Sequence, residues 1–335
     1  MSEAYRRAGV DLEAASRAVG MIRDLAAGAT RPEVIEGVGG FAGLFRLGSG
    51  RYLAAATDGV GTKLEIARMA GRLGSVGIDL VAMCADDVVC TGAEPMLFLD
   101  YLAVGRLVPE HVAEVVAGVA EGCRRAGCAL LGGETAEHPG VMDADRLDLA
   151  GFCVGVVGEE ELLGPARVRE GDRLVGLASS GLHSNGFSLV RSALLAQGPA
   201  VLEGVPQGFD RPLAELLLEP TAVYAPLVRS LAAGRRIHAA AHITGGGLPE
   251  NAARILPSGL AARLERGAWS VPAVFELVRR SARISDRDMF ATFNMGIGMV
   301  LAVPVGSVDE VLDAAAGSGA RVIGSVVPGT GVELV

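Results

Sequence analysis

An apolar run, Tyr52 to Ala56, feeds into Thr57-Asp58-Gly59-Val60-Gly61-Thr62-Lys63, and a helix-like segment, Leu64 to Ala70, leaves it. A strand that ends on glycines, a carboxylate, a hydroxyl and an ammonium before a helix restricts the chain to folds that mix strands with helices. Lys63 singles the segment out, because among thirty basic residues it is the only lysine. Arg offers a planar fork, whereas Lys offers a compact charge on a flexible stem that fits among phosphate oxygens. The segment is therefore a candidate phosphate or nucleotide site.

Upstream, Asp11 is placed to cap a helix whose apolar positions Leu12, Ala15, Val19, Ile22 and Ala26 recur at three- and four-residue spacing up to Gly28. Gly37-Val38-Gly39-Gly40-Phe41-Ala42 matches G-x-G-x-x-A, but a strand-like Leu44–Leu47 follows where a dinucleotide site needs a helix. A Gly-rich approach to a strand is expected there. Downstream, Gly77 to Thr91 reads as an apolar helix carrying Asp79, Asp86 and Asp87. At 100° per residue Asp79 and Asp86 share a face, with Asp87 about 100° further round. Carboxylates on so apolar a helix need partners, and a divalent cation is one candidate. The other reading is a half-exposed helix whose acids meet water.

Beyond it, Gly92-Ala93-Glu94-Pro95 is a break. Met96–Val104 is a strand and Pro109–Ala126 an amphipathic helix. Cys128–Leu131 is a strand expected to end in the turn Gly132-Gly133-Glu134-Thr135. The segment Leu163 to Arg173 is the expected linker between domains 1–165 and 166–335, which suits a chain of 335 residues. In the second half, Ser180-Gly181-Leu182-His183-Ser184-Asn185-Gly186, His242-Ile243-Thr244-Gly245-Gly246-Gly247 and Phe293-Asn294-Met295-Gly296 are Gly-rich turns. The chain has only three Asn, Asn185, Asn251 and Asn294, and each lies in or beside such a turn. Asn tolerates positive φ and caps helices, so turn roles explain them; Asn185 is placed to cap a helix over Phe187–Leu195. With His183 and His242 they also suit a site that hydrogen-bonds a small molecule. A further helix is expected over Glu219–Ala232. Each half mixes strands and helices irregularly, so the fold class expected is α+β.

A formal charge of −9 without a basic cluster argues against nucleic acid. No stretch approaches 18 uninterrupted apolar residues, so no membrane contact is expected, and no secretory leader is legible, so the expected location is the cytoplasm. Cys84, Cys90, Cys123, Cys128 and Cys153 lack any C-x-x-C pair and read as free thiols, mostly buried.

Taken together and in order, Ala56–Lys63, Gly92–Pro95, Gly132–Glu137, Ser179–Gly186 and His242–Gly247 resemble the phosphoribosylformylglycinamidine cyclo-ligase (aminoimidazole ribonucleotide synthetase) family. The likeness runs from Ala8-Gly9-Val10-Asp11 to Gly296. It implies an ATP- and Mg²⁺-dependent ring closure in purine biosynthesis, by a homodimer whose N-terminal strands form a shared barrel. The resemblance assigns Asp58, Asp87 and Glu134 to Mg²⁺. It assigns Gly59, Gly61, Thr62, Lys63, Gly132, Gly133 and Thr135 to ATP, with Lys63 neutralising the triphosphate. Ser180, His183, Asn185, His242, Thr244, Gly245, Gly246, Gly247, Asn251 and Asn294 are assigned to the substrate formylglycinamidine ribonucleotide, and Asp58, Lys63 and His183 to catalysis. Two departures stand out: the family's usual Asn-Asp pair reads Asp86-Asp87, and its N-terminal Lys is absent, the first helix carrying Arg17 and Arg23. The alternatives are a small-molecule kinase of the thiamine-monophosphate kinase or selenophosphate synthetase kind, which lacks the Ser180–Gly186 motif, and a non-catalytic nucleotide-binding module. A dehydrogenase fits least, and the Walker order is absent because Thr62-Lys63 reverses it.

Overall fold

The computed structural model describes residues 12–335, so Asp11 and the Ala8–Asp11 motif lie outside the described residues. Helix α1 (Leu12–Ala27) forms and stops before Gly28. Its apolar stripe does not pack inward. Val19, Ile22 and Ala26 are all exposed.

The first domain continues with β1 (Val34–Glu36), β2 (Gly43–Gly48), β3 (Arg51–Gly59), α2 (Lys63–Ala70), α3 (Gly74–Val89), β4 (Glu94–Val104), α4 (Pro109–Ala126), β5 (Ala129–Glu137) and β6 (Leu147–Gly158). Its sheet runs β1-β2-β3-β6-β4-β5, antiparallel throughout except for β4 beside β5. The pleat of β6 shows how it is used. Leu149, Cys153 and Val157 are buried on the face under α3, while Phe152 is exposed on the other. Gly151 sits between Phe98 and Leu80, where a Cβ would lie 2.4 Å from the phenyl ring.

The Gly132–Thr135 segment is not a strand-end turn. It lies inside β5, with Leu99, Asp100, Tyr101 and Leu102 opposite Gly132, Gly133, Glu134 and Thr135. The two glycines, poor strand formers, misled the expectation. The Asp100 side chain on the parallel neighbour leaves no room for a Cβ on Gly133 and explains that glycine; among the described residues nothing around Gly132 excludes a side chain.

The second domain contains β7 (Arg173–Ala178), α5 (Phe187–Leu194), α6 (Leu213–Leu217), α7 (Ala225–Ala233), β8 (Ala239–His242) and α8 (Gly247–Ala253). It ends with β9 (Leu260–Leu264), α9 (Ala273–Ala282), α10 (Asp286–Thr292), β10 (Ile297–Val303), α11 (Val308–Ala314), β11 (Arg321–Pro328) and β12 (Gly331–Leu334). Its sheet order is β12-β9-β11-β7-β10-β8, with only β12 and β9 parallel, and β10 is buried along its whole length. The helix expected over Glu219–Ala232 begins only at Ala225, because the preceding irregular residues give their hydrogen bonds to α3, at Asp79 and Asp86, as described below. Asn185 does not cap α5; Gly186, at φ 79°, occupies that position. Both sheets share one contiguous apolar core, and α3 touches α7 and β8 as well as its own sheet. The five cysteines are free thiols, four buried and Cys128 half-buried. Among the described residues no helix is long and apolar enough to cross a membrane.

The α3–α4 crossing depends on glycine. A Cβ on Gly118 would lie 2.0 Å from the Gly74 carbonyl oxygen, so the two backbones pack directly. Gly118→Val is expected to cost about 3 kcal/mol, the upper part of the usual overpacking range. Gly20→Ala, at a helical position with open space around it, is expected to gain up to about 1 kcal/mol from propensity. Denaturant titration of both variants checks the contrast, and an unchanged midpoint for Gly118→Val would contradict the crossing.

Candidate active site

Three acids of α3 meet three different fates. Asp79 and Asp86, on one face as their spacing predicts, are both fully buried against the second domain. Asp79 Oδ1 accepts the Lys63 ammonium (2.9 Å), the Thr221 amide (2.8 Å) and the Thr221 hydroxyl (2.6 Å). Asp86 Oδ1 accepts the Tyr224 amide at 2.9 Å, at the start of α7, while its Oδ2 has no partner among the described residues. Asp87, further round the helix, turns towards β8, where its Oδ1 lies 3.0 Å from His242 Nδ1.

Asp58, near the end of β3, completes this corner. Its Oδ1 accepts the Gly59 amide at 2.7 Å. Burial, then the neighbouring Asp87 carboxylate, push its pKa up to about 6. Burial works against a charged His242, but the Asp87 hydrogen bond and the charges of Asp87, Asp86 and Asp58 outweigh it and hold that pKa above the ordinary value. Nε2 of His242 is buried without a partner among the described residues. His183, at φ 60°, accepts the Ser180 amide on Nε2 (3.2 Å), which puts the proton of the neutral ring on an equally unpartnered Nδ1. Burial, then the nearby charges of His242 and Lys63, hold its pKa well below the ordinary value, so it is neutral.

The remaining predicted residues divide. Gly61 and Thr62 are exposed beside Asp58, with the Thr62 hydroxyl 3.1 Å from that of Ser188. Thr244, Gly245 and Gly246 form the turn after β8, and Asn185 Oδ1 lies 3.5 Å from where a Gly245 Cβ would stand. Gly247 admits no side chain, because a Cβ would fall 2.0 Å from the Phe290 carbonyl oxygen. Asn251 and Asn294 brace turns. The Asn251 amide donates to the carbonyls of Thr244, Gly245 and Gly247 at 3.3, 3.1 and 2.9 Å. Asn294 accepts from Ser179 and from the Gly296 amide and donates to the Gly181 carbonyl at 2.9 Å. Ser180 donates to the Pro220 carbonyl (2.6 Å). The Asn185 amide nitrogen donates to the Met83 sulfur at 3.9 Å.

Glu134, Gly132, Gly133 and Thr135 are not brought to this corner. Register places Asp58, Gly151, Asp100 and Gly133 in one row across the sheet, three strand spacings or roughly 14 Å. Glu134, one residue on, faces the other side of the sheet. Lys63 is buried rather than displayed: beside Asp79, its ammonium donates to the carbonyls of His183 (3.0 Å) and Glu219 (2.8 Å). Asp79, Thr221 and Tyr224 carry contacts that the sequence reading did not assign. A lone lysine near unmatched acids was the available signal.

Among the described residues no group of three or more His, Cys, Asp or Glu side chains is arranged to hold a metal. Asp58 and Asp87 supply two hard oxygen ligands; burial first, and then the Asp87 charge, raise the Asp58 pKa, and a cation would relieve both. That fits Mg²⁺, which keeps waters and phosphate oxygens as its other ligands.

Residues 39–157 match the family model for the AIR synthase related protein N-terminal domain, and residues 169–335 the model for the C-terminal domain. A phosphoribosylformylglycinamidine cyclo-ligase from Geobacillus kaustophilus (strain HTA426) is 48% identical over 99% of this chain and 98% of its own. One from Synechococcus sp. (strain RCC307) is 51% identical over 98% and 97%. The chain belongs to the phosphoribosylformylglycinamidine cyclo-ligase family. Solved structures share the fold at lower identity. Thiamine-monophosphate kinase from Stenotrophomonas maltophilia K279a is 22% identical with a TM-score of 0.60 over 94% of this chain and 95% of that one. T. maritima PurL complexed with ADP is 16% identical with a TM-score of 0.59 over 90% and 45%.

The resemblance to this cyclo-ligase family carries an Asn where this chain has Asp86, and the surroundings explain how the acid is tolerated. Burial, opposed in part by the charge of His242, pushes the Asp86 pKa up to about 7, so below that pH it is a neutral group of nearly the shape of Asn. An acid whose folded pKa lies above its unfolded value of about 4 keeps its full stability below pH 4 and loses it progressively as the pH rises towards 7. Asp86→Asn removes that loss. The variant is expected to gain on wild type from pH 5 to pH 8 by on the order of a few kcal/mol, measured by denaturant unfolding of the metal-free protein. A difference independent of pH would show that Asp86 titrates normally.

Proposed function

We propose that this chain closes the imidazole ring of 5-aminoimidazole ribonucleotide from formylglycinamidine ribonucleotide, using ATP. The observation that carries the reading is the convergence of Asp58, Asp87–His242 and the neutral, unpartnered Nδ1–H of His183 where the two domains meet. The formyl oxygen attacks the γ-phosphorus of ATP and the bond to the leaving ADP oxygen breaks. The amidine nitrogen then adds to the activated carbon, the C–O bond breaks to release phosphate, and proton loss leaves the aromatic ring. An amide oxygen leaves poorly and a phosphate leaves well, which is why ATP is spent.

Positioning and charge neutralisation supply most of the catalysis in such a transfer. Mg²⁺, held by Asp58 and Asp87, would neutralise the phosphates. Gly61 and Thr62 present an exposed, side-chain-poor approach for the phosphate chain beside Asp58. His183 acts as a hydrogen-bond donor from Nδ1, since its neutral ring already uses Nε2 as an acceptor. His242, oriented by Asp87, accepts a proton at Nε2 with the resulting charge stabilised by three nearby carboxylates. Asn185, whose amide makes only a sulfur contact among the described residues, is placed to serve the substrate, and Asn251 and Asn294 contribute by shaping the Thr244–Gly247 and Ser180–Gly181 turns. The domain boundary falls in 159–172, between β6 and β7.

The sheet face opposite α3 supports a homodimer. Tyr101 and Phe152 are exposed there, and Leu53, Leu97, Leu99 and Val154 are half-buried, an apolar surface of the kind a second copy covers. Such a copy would lie over Glu134 and Gly132, and a role for these two residues in ATP or metal binding depends on it.

With ATP, Mg²⁺ and formylglycinamidine ribonucleotide, the purified protein is expected to form ADP and aminoimidazole ribonucleotide in equal amounts. ADP without ring product would refute the cyclo-ligase reading in favour of a kinase, and binding without turnover would favour the non-catalytic module. Asp87→Asn should lower Mg²⁺-dependent turnover by 10²-fold or more, on the scale of losing a preorganised electrostatic contact. Asp86→Asn should keep it. Phe152→Asp is expected to shift the protein from dimer to monomer in sedimentation.

A further inference from the structure

We propose that Lys63 is a positioning residue whose buried ammonium ties the His183 turn and the Glu219–Thr221 segment of the second domain to α3, instead of binding the phosphates of the nucleotide. The proposal rests on the site read above, and the family resemblance points the other way by placing this lysine at the triphosphate.

An ammonium has three donors, and all three of Lys63 are used. One is shared by Asp79, whose oxygens lie 2.8 and 2.9 Å away, and the others go to the carbonyls of His183 (3.0 Å) and Glu219 (2.8 Å). The side chains of Lys63 and Asp79 are both 0% exposed. A phosphate oxygen could reach the ammonium only by displacing a buried carboxylate or a backbone carbonyl, and either would leave a buried polar group unpaired. The Phe187 ring, 5.5 Å from Nζ, closes another side.

The same network explains what the lysine holds. Asp79 receives the Thr221 amide and hydroxyl, Ser180 donates to the Pro220 carbonyl, and the hydroxyls of Ser184 and Thr221 lie 3.4 Å apart. Residues 219–221 are therefore fixed at every position, partly by the His183 turn and partly by α3. Lys63 bonds directly to the carbonyl of His183, a non-glycine residue held at φ 60°. That backbone conformation is unfavourable for a side-chain-bearing residue and persists where surrounding contacts hold it. It aims Nδ1–H of His183. Lys63 thus sets the direction of a donor in one domain from a helix start in the other.

The test separates binding from turnover. Lys63→Met should leave the Kd for a fluorescent ATP analogue with Mg²⁺ within threefold of wild type. Turnover at saturating ATP and substrate, corrected for folded fraction, should fall at least tenfold. In a His183→Ala background the same substitution should have little further effect on turnover, a coupling that a merely structural role would not produce. Thr221→Val, which touches the network from the second domain and lies outside the binding residues, should lower kcat in the same direction. If Lys63→Met does not fold, Thr221→Val and Asp79→Asn carry the same comparison. A tenfold weaker Kd in Lys63→Met with normal saturated turnover, or wild-type kcat in Thr221→Val, would overturn the proposal. Failure of the cyclo-ligase reading itself is distinguishable, since wild type would then form no ring product.

Discussion

Helix α3 is apolar almost throughout and packs between the sheet of the first domain and α7 and β8 of the second, so every carboxylate on it must find a partner that water cannot provide. Burying an ionised carboxylate is costly unless it is paired, hydrogen-bonded or neutralised. The helix uses all three solutions. Asp79 takes an ammonium and a hydroxyl, Asp86 is held with its proton against the start of α7, and Asp87 takes an imidazole beside Asp58. Each solution lies in, or reaches into, the other domain or the neighbouring strand. The domain junction and the chemical site thereby become the same place.

The position of these acids was legible in the sequence because it follows from helical geometry alone. Their partners were not, because Lys63 lies sixteen residues from Asp79, and Thr221 and His242 lie 142 and 155 residues from the acids they meet. Periodicity carries no information on such distances. The strand at Tyr52, the helix at Pro109 and the turns after β7 and β8 could be read because glycine, proline and apolar runs act locally. Gly132–Thr135 was misread for the same reason. Gly133 answers to Asp100 on a neighbouring strand, a tertiary demand that imitates a turn in sequence.

The lone lysine shows how composition can find a residue and still mislead about its task. A chain that uses Arg elsewhere and keeps one Lys marks a place where a compact ammonium is needed. A phosphate site is one such place. A buried cavity bounded by a carboxylate and two carbonyls is another, because a guanidinium would bring five donors where only three are matched.

The two unpartnered imidazole nitrogens gain their meaning from this packing. In a region where backbone and side-chain polar groups are paired this densely, an orphaned Nδ1–H on His183 and an orphaned Nε2 on His242 are exceptions that call for a ligand. They differ in character, because one ring is held neutral by burial and by positive neighbours and the other is made basic by carboxylates. A donor and an acceptor so distinguished suit a reaction that stabilises charge at one atom of its substrate and removes a proton from another. Asp87 faces both the second of these rings and the Asp58 carboxylate. Whatever neutralises the Asp87 charge would weaken what holds the His242 pKa up, so the basicity of that ring depends on what else Asp87 meets.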